Sequence, residues 1–210
     1  MKPLEGLRVV EIAQNLAGPF CGEILGALGA EVVKIERPDG GDDCRGWGPP
    51  FLEETGTAFH ALNIGKKSVA LDMKDPEKLA WLVDFIGGSD IVLHNMRPGV
   101  MNELGLDGET LTARFPHLIY LEISGFGATG PMQTAPGYDT IAQALTGFFH
   151  LNGDPEGRPA RVGPSVLDMG SGMWGVIGCL AALRTREATG KGAIIDTSLM
   201  GTGLSYIAPA

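Results

Sequence analysis

Short β-branched runs alternate with helical segments along this chain, and that alternation restricts the fold more than any other feature. Leu7-Arg-Val-Val-Glu-Ile-Ala13 reads as a strand, residues 18–30 have helical spacing, and Glu31-Val-Val-Lys-Ile-Glu36 reads as a second strand. Together they form a βαβ unit. The pattern returns in Ser68-Val-Ala-Leu-Asp-Met73, a helix over residues 75–86 and Asp90-Ile-Val-Leu-His-Asn95. Asp75 is placed to cap that helix, and Pro76 suits its first position because the N–H that proline lacks has no helical partner there. Residues 118–124 and 194–198 supply further strands. Strands joined through helices run parallel and need cover on both sides, which predicts an α/β fold with a mostly parallel sheet flanked by helices. Ligands in such sheets bind beyond the carboxyl ends of the strands. The loops expected there are 14–19, 37–50, residue 74, 95–99 and 125–137.

Composition narrows the class of function. With 210 residues, 44% hydrophobic and 20% charged, the chain is long enough to bury a core as one domain or an unequal pair. A net charge of −9 argues against nucleic acid or an anionic membrane as a main partner, so an anionic ligand must find local basic residues. Cys21, Cys44 and Cys179 are far apart and form no metal-ligand spacing, as expected of a chain in a reducing, cytoplasmic compartment without a metal. The opening residues, Met1-Lys-Pro-Leu-Glu-Gly6, lack the apolar core of a signal peptide, and no uninterrupted apolar run reaches ~18 residues, so no membrane span or anchor is expected.

One carboxylate stands out. Asp168 is the only formal charge between residues 162 and 183. A carboxylate in apolar surroundings is costly unless donors surround it, and its pKa rises. Its local setting suits an N-cap for a helix beginning at Met169. The same helix start would also favour a bound anion, so capping and chemistry are compatible. Gly170 and Gly172 are small enough for backbone N–H groups or a ligand to approach. Other motifs are weaker. The turn Ala17-Gly-Pro-Phe-Cys-Gly22 lacks the second glycine of G-x-G-x-x-G, which argues against a dinucleotide site despite the acidic Glu36. There is no Walker lysine loop and no G-x-S-x-G elbow. Ser171 has no histidine after it in the chain, and the four histidines are scattered.

The motifs taken together resemble a known family. They are Pro3-Leu-Glu-Gly-Leu-Arg-Val-Val-Glu11, Leu16-Ala-Gly-Pro-Phe20, Leu28-Gly-Ala-Glu-Val-Val-Lys-Ile-Glu-Arg-Pro38, Gly41-Asp-Asp-Cys-Arg-Gly-Trp47, Lys66-Lys-Ser-Val-Ala-Leu-Asp72 and Asn95-Met-Arg-Pro-Gly99. Gly137-Tyr-Asp139, Asp168 and Thr189-Gly-Lys-Gly192 continue the match. The chain thus resembles, colinearly, the class III coenzyme A transferases, the superfamily of formyl-CoA transferase, carnitine-CoA transferase and α-methylacyl-CoA racemase. The resemblance implies a Rossmann-like large domain and a CoA-thioester enzyme in which Asp168 is the nucleophile. Coenzyme A is then a substrate moiety, with no permanently bound cofactor. The partners it implies are an acyl-CoA and a carboxylic acid acceptor. Further oxyanion donors would come from a glycine-rich loop in the family's later half.

The same resemblance places Arg37 and Lys74 at CoA-contacting positions after the second and third strands. Asn15, Leu16, Ala17, Leu71, Asn95, Met96, Arg97 and Tyr138 also fall on CoA or active-site positions of the family. Leu16 and Glu103 depart from the glutamine and arginine of formyl-CoA transferase, which speaks against formyl or oxalyl specificity. The racemase branch places a histidine where this chain has Tyr138, and a tyrosine of ordinary pKa is a poor base at neutral pH. Residues 41–51 and 161–168 are closest to the subgroup that uses succinyl-CoA and dicarboxylic acids such as glutarate. Family members continue into a small domain and return to the large one, so the expectation for residues 1–210 is the N-terminal part of the large domain. The family's interlocked dimer implies a homodimer or a complex with a second chain. A catalytically silent half that needs such a partner is the alternative of a different class.

Overall fold

The computed structural model describes residues 2–208. The chain begins with β1 (Arg8–Ile12), α1 (Ala17–Ala27) and β2 (Glu31–Glu36). A short hairpin, β3 (Phe51–Leu52) and β4 (Thr55–Gly56), leads through α2 (Thr57–Leu62) to β5 (Lys67–Ala70), α3 (Pro76–Gly87) and β6 (Ile91–His94). Next come α4 (Val100–Glu103), α5 (Gly108–Arg114), β7 (Ile119–Ser124), α6 (Asp139–Thr146) and α7 (Phe148–Leu151). The long α8 (Val166–Thr189), β8 (Ile194–Ser198) and α9 (Leu199–Ile207) complete it.

Six strands form one sheet in the order β5-β2-β1-β6-β7-β8, and every pairing is parallel. The chain starts at the centre, winds outward through β2 and β5, and then crosses to β6. The direction of winding therefore reverses between β1 and β6, where the ends of neighbouring loops splay apart and leave a crevice. The predicted strands are all present, β2 and β8 with the expected bounds. β5 ends earlier than expected, at Ala70, where its partner β2 ends at Glu36; the last bond between them runs from the Leu71 N–H to the Glu36 carbonyl at 2.8 Å. Asp75 caps α3, accepting from the Glu77 and Lys78 amides at 3.0 and 3.4 Å.

Alternation along each strand makes two cores. Val9, Val32, Leu93, Leu121 and Ile123 face α1 and α8, whereas Val10, Val33, Ile35, Val92 and Tyr120 face α3 and α5. By length and composition α8 is apolar enough to cross a membrane. It carries Asp168 in its first turn, and its Leu167, Val176, Cys179 and Ala182 pack into the core against α1 and the sheet, so we read it as a core helix. Glycine allows this close packing: a Cβ at Gly172 would lie 2.8 Å from the Ala17 carbonyl oxygen.

Candidate active site

A cavity of about 330 Å³ opens at the carboxyl edge of the sheet, at the reversal between β1 and β6. Its walls are the turn 14–17 after β1, the loop 95–98 after β6, residues 123–125 at the end of β7, residues 135–140 leading into α6, and the start of α8. Asp43 and Trp47 close it from the loop after β2.

The two loops at the reversal are stitched together. Asn95 Oδ1 accepts the Gln14 N–H at 2.9 Å, and its Nδ2 donates to the Gln14 carbonyl at 2.7 Å. This pairing commits the Asn95 amide to holding the turn. Asn15 follows with φ 65°, a left-handed conformation that asparagine adopts more readily than most residues. Leu16 and Ala17 then start α1.

Asp168 lines the same cavity, half-buried in the first turn of α8. The expectation that it caps this helix is corrected. The helix begins at Val166, and the capping carboxylate belongs to Asp139 at the start of α6. Asp139 Oδ2 accepts the Leu167 N–H at 2.8 Å and the Asp168 N–H at 3.2 Å, and Gln143 Nε2 donates to its Oδ1. Asp139 thereby takes the helix-terminal donors that would otherwise stabilise an anion in this turn. Among the described residues no group donates to the Asp168 carboxylate. Burial, reinforced by the negative charge of Asp139, pushes the Asp168 carboxyl up from 3.8 to about 7.

Gly170 and Gly172 do not supply oxyanion donors. Both lie inside α8 beyond its first turn, and their missing side chains admit neighbours instead: a Cβ at Gly170 would stand 2.2 Å from the Tyr206 hydroxyl. Ser171 is buried, donating to the Leu167 carbonyl at 2.7 Å and lying 2.8 Å from Thr202 Oγ1.

Of the residues expected from sequence, Asn15, Leu16, Ala17, Asn95, Met96, Arg97, Tyr138 and Asp168 meet around this cavity. Arg97 and Tyr138 are exposed at its rim, and Arg97 is the cation among the described lining residues. Arg37, Leu71 and Lys74 lie outside it, along the same sheet edge on the β2 and β5 side. Arg37 is exposed and paired with Asp43, and Lys74 is exposed in the turn before α3. The Leu71 side chain is packed in the core. Asp139 was legible only as part of the Gly-Tyr-Asp motif. Its partner amides lie 28 and 29 residues away, so no local signal announced its capping role. Among the described residues no cluster of histidine, cysteine and carboxylate side chains suits a metal ion.

A family model described as CoA-transferase family III matches residues 4–210. Succinyl-CoA:glutarate CoA-transferase from Mus musculus is 43% identical over 207 residues, covering 99% of this chain and 48% of that protein. Acetyl-CoA:oxalate CoA-transferase from Acetobacter aceti is 42% identical, covering 98% of this chain and 53% of that protein. The chain thus spans about half the length of the curated relatives it matches. Among solved structures, a CAIB/BAIF family protein from Brucella suis superposes with a TM-score of 0.95 at 40% identity, over 99% of this chain and 56% of that one.

Proposed function

The chain belongs to CoA-transferase family III, and from that premise we propose that its cavity serves the transfer of CoA from an acyl-CoA thioester to a carboxylic acid, with Asp168 as the nucleophile. The observation that carries the reading is the half-buried Asp168 carboxyl, which faces the cavity with no donor to it among the described residues. A carboxylate of raised pKa is more basic and more nucleophilic once ionised.

The Asp168 carboxylate attacks the thioester carbonyl, the C–S bond breaks, and a mixed anhydride and a CoA thiolate result. The thiolate then attacks the Asp168 carbonyl of the anhydride, releasing the donor acid and leaving an aspartyl-CoA thioester. An acceptor carboxylate attacks that thioester, its C–S bond breaks to release the CoA thiolate, and a second anhydride forms between Asp168 and the acceptor. The thiolate attacks the acceptor's carbonyl, giving the new acyl-CoA and regenerating Asp168. Thioester and anhydride exchange without ATP or a metal. Each step forms an oxyanion that needs placed N–H donors. The first amides of α8 are committed to Asp139, so those donors come from outside this helix.

Donor and acceptor are proposed on likeness. The mouse relative is named for succinyl-CoA and glutarate and the Acetobacter relative for acetyl-CoA and oxalate. We take succinyl-CoA as donor and a dicarboxylic acid as acceptor. No histidine is among the described lining residues, which favours transfer over proton exchange at an α-carbon. A homodimer or a complex with a second chain is proposed as the active form. It is supported by an exposed apolar stripe on α8, Met173, Trp174, Ile177 and Leu180, and by exposed Ile141 and Leu145 on α6. The three cysteines are free and buried, in keeping with a cytoplasmic protein.

The test is Asp168→Ala in an active assembly. Loss of transfer by at least ~10³-fold with CoA binding retained supports the assignment. Near-native transfer would remove Asp168 from the mechanism.

A further inference from the structure

Four charged side chains beneath the turn 14–17 have no part in the transfer chemistry. Glu11 and Lys34 face each other in register across β1 and β2, and each is at most 1% exposed. Lys34 Nζ lies 2.8 Å from Glu11 Oε1 and 2.9 Å from Asp42 Oδ2, and donates to the Ala13 carbonyl at 2.7 Å. Lys66 Nζ lies 2.8 Å from the other Glu11 oxygen and donates to the Pro19 carbonyl and Asn63 Oδ1 at 2.8 and 2.9 Å. Two cations and two carboxylates balance. Helix α1 makes room for them, since a Cβ at Gly22 would stand 1.9 Å from Glu11 Oε2.

The network reaches the cavity through one residue. Asp42 Oδ2 is held by Lys34, while Oδ1 accepts the Asn15 N–H and the Cys44 N–H, both at 2.9 Å. Asn15 is in the left-handed turn on one side of the cavity, and Asp43 and Trp47 flank Cys44 on another. Both walls therefore hang from a single carboxylate whose orientation is set by a buried ammonium. Stability alone does not require this arrangement, because apolar residues of similar volume commonly serve as well as a buried ion pair.

We propose that the Lys34–Asp42 pair is a positioning clasp, Asp42 being the residue through which the buried network sets the geometry of the acyl-CoA-binding turn. The proposal rests on the reading of this cavity as an acyl-CoA site. Asp42 touches no reacting atom; it fixes Asn15 relative to the loop after β2.

The test uses the full chain in its active assembly and desulfo-CoA, which binds without reacting, together with KM and kcat for acyl-CoA. Asp42→Ala removes the bonds to Asn15, Cys44 and Lys34. Asp42→Asn retains an oxygen for the two amides and loses the charge. Losing a charge-assisted hydrogen bond is expected to weaken desulfo-CoA binding about tenfold in Asp42→Asn and up to about a hundredfold in Asp42→Ala, with KM rising more than kcat falls. A purely structural role would lower the folded fraction, and with it amplitude and kcat, while leaving the dissociation constant of the folded protein unchanged. That result in Asp42→Asn, or a folded Asp42→Ala that binds within about twofold of the wild type, would overturn the clasp. Failure of the wild-type assembly to bind desulfo-CoA would overturn the acyl-CoA reading and the clasp with it.

Discussion

Two groups of buried charge border the same cavity and are handled in opposite ways. Beneath the turn 14–17, each carboxylate oxygen of Glu11 lies 2.8 Å from a lysine ammonium, and Asp42 is divided between a lysine and two amides. At the start of α8, Asp139 takes the amides, and among the described residues Asp168 beside it has neither cation nor donor. The paired group holds backbone in place. The unpaired one is kept in a costly state that only chemistry would reward. Neutralising a member of each group should therefore move stability in opposite directions.

The largest effect is on rate. Asp168→Asn should lower transfer by at least ~10³-fold while the protein stays folded, measured by acyl-CoA turnover beside circular dichroism. Next is Lys34→Met, which leaves Glu11 Oε1 and Asp42 Oδ2 buried without their ammonium and should cost about 3–5 kcal/mol in denaturant unfolding. A value under about 1 kcal/mol would erase the distinction between the two groups. Gly22→Ala pushes a methyl into the Glu11 carboxylate and should cost about 1–3 kcal/mol by the same measurement.

A smaller change sharpens the contrast. The Asp168 carboxyl titrates near 7 when folded against 3.8 as its ordinary value, so its contribution favours folding at acid pH and is lost as pH rises through 7. Asp168→Asn should then stabilise the protein by about 1–2 kcal/mol at pH 8, after discounting for partial exposure, and by nothing measurable at pH 4. Asp139→Asn removes the neighbouring charge yet keeps an oxygen for the amides. The acid limb of kcat/KM, which should rise through about pH 7 in the wild type, should move down by about one unit or less.

Much of the sheet was legible because its signals are local. Val9, Val10, Val32 and Val33 sit in short β-branched runs, and Asp75 caps amides two and three residues away. The cavity's position follows from parallel strands, whose loops collect at one edge. The pairing of charges was not legible. Lys34 and Glu11 are 23 residues apart, and they are brought together and buried only when β1 and β5 enclose β2. The cap of α8 was misplaced for the same reason. Asp168 is a plausible local cap, whereas Asp139 wins because the packing of α6 against α8 brings its carboxylate to amides that sequence separates widely. Glycines 170 and 172 looked open from sequence because what fills the space beside them, Tyr206, Thr202 and α1, comes from distant segments.

The most direct test of the unpaired carboxylate is intact mass after incubating the assembled protein with succinyl-CoA, trapping with hydroxylamine or borohydride, and mapping peptides. The account predicts an adduct confined to the peptide that carries Asp168 and absent from Asp168→Asn. An adduct on another residue, or turnover with no trappable intermediate at Asp168, would contradict it.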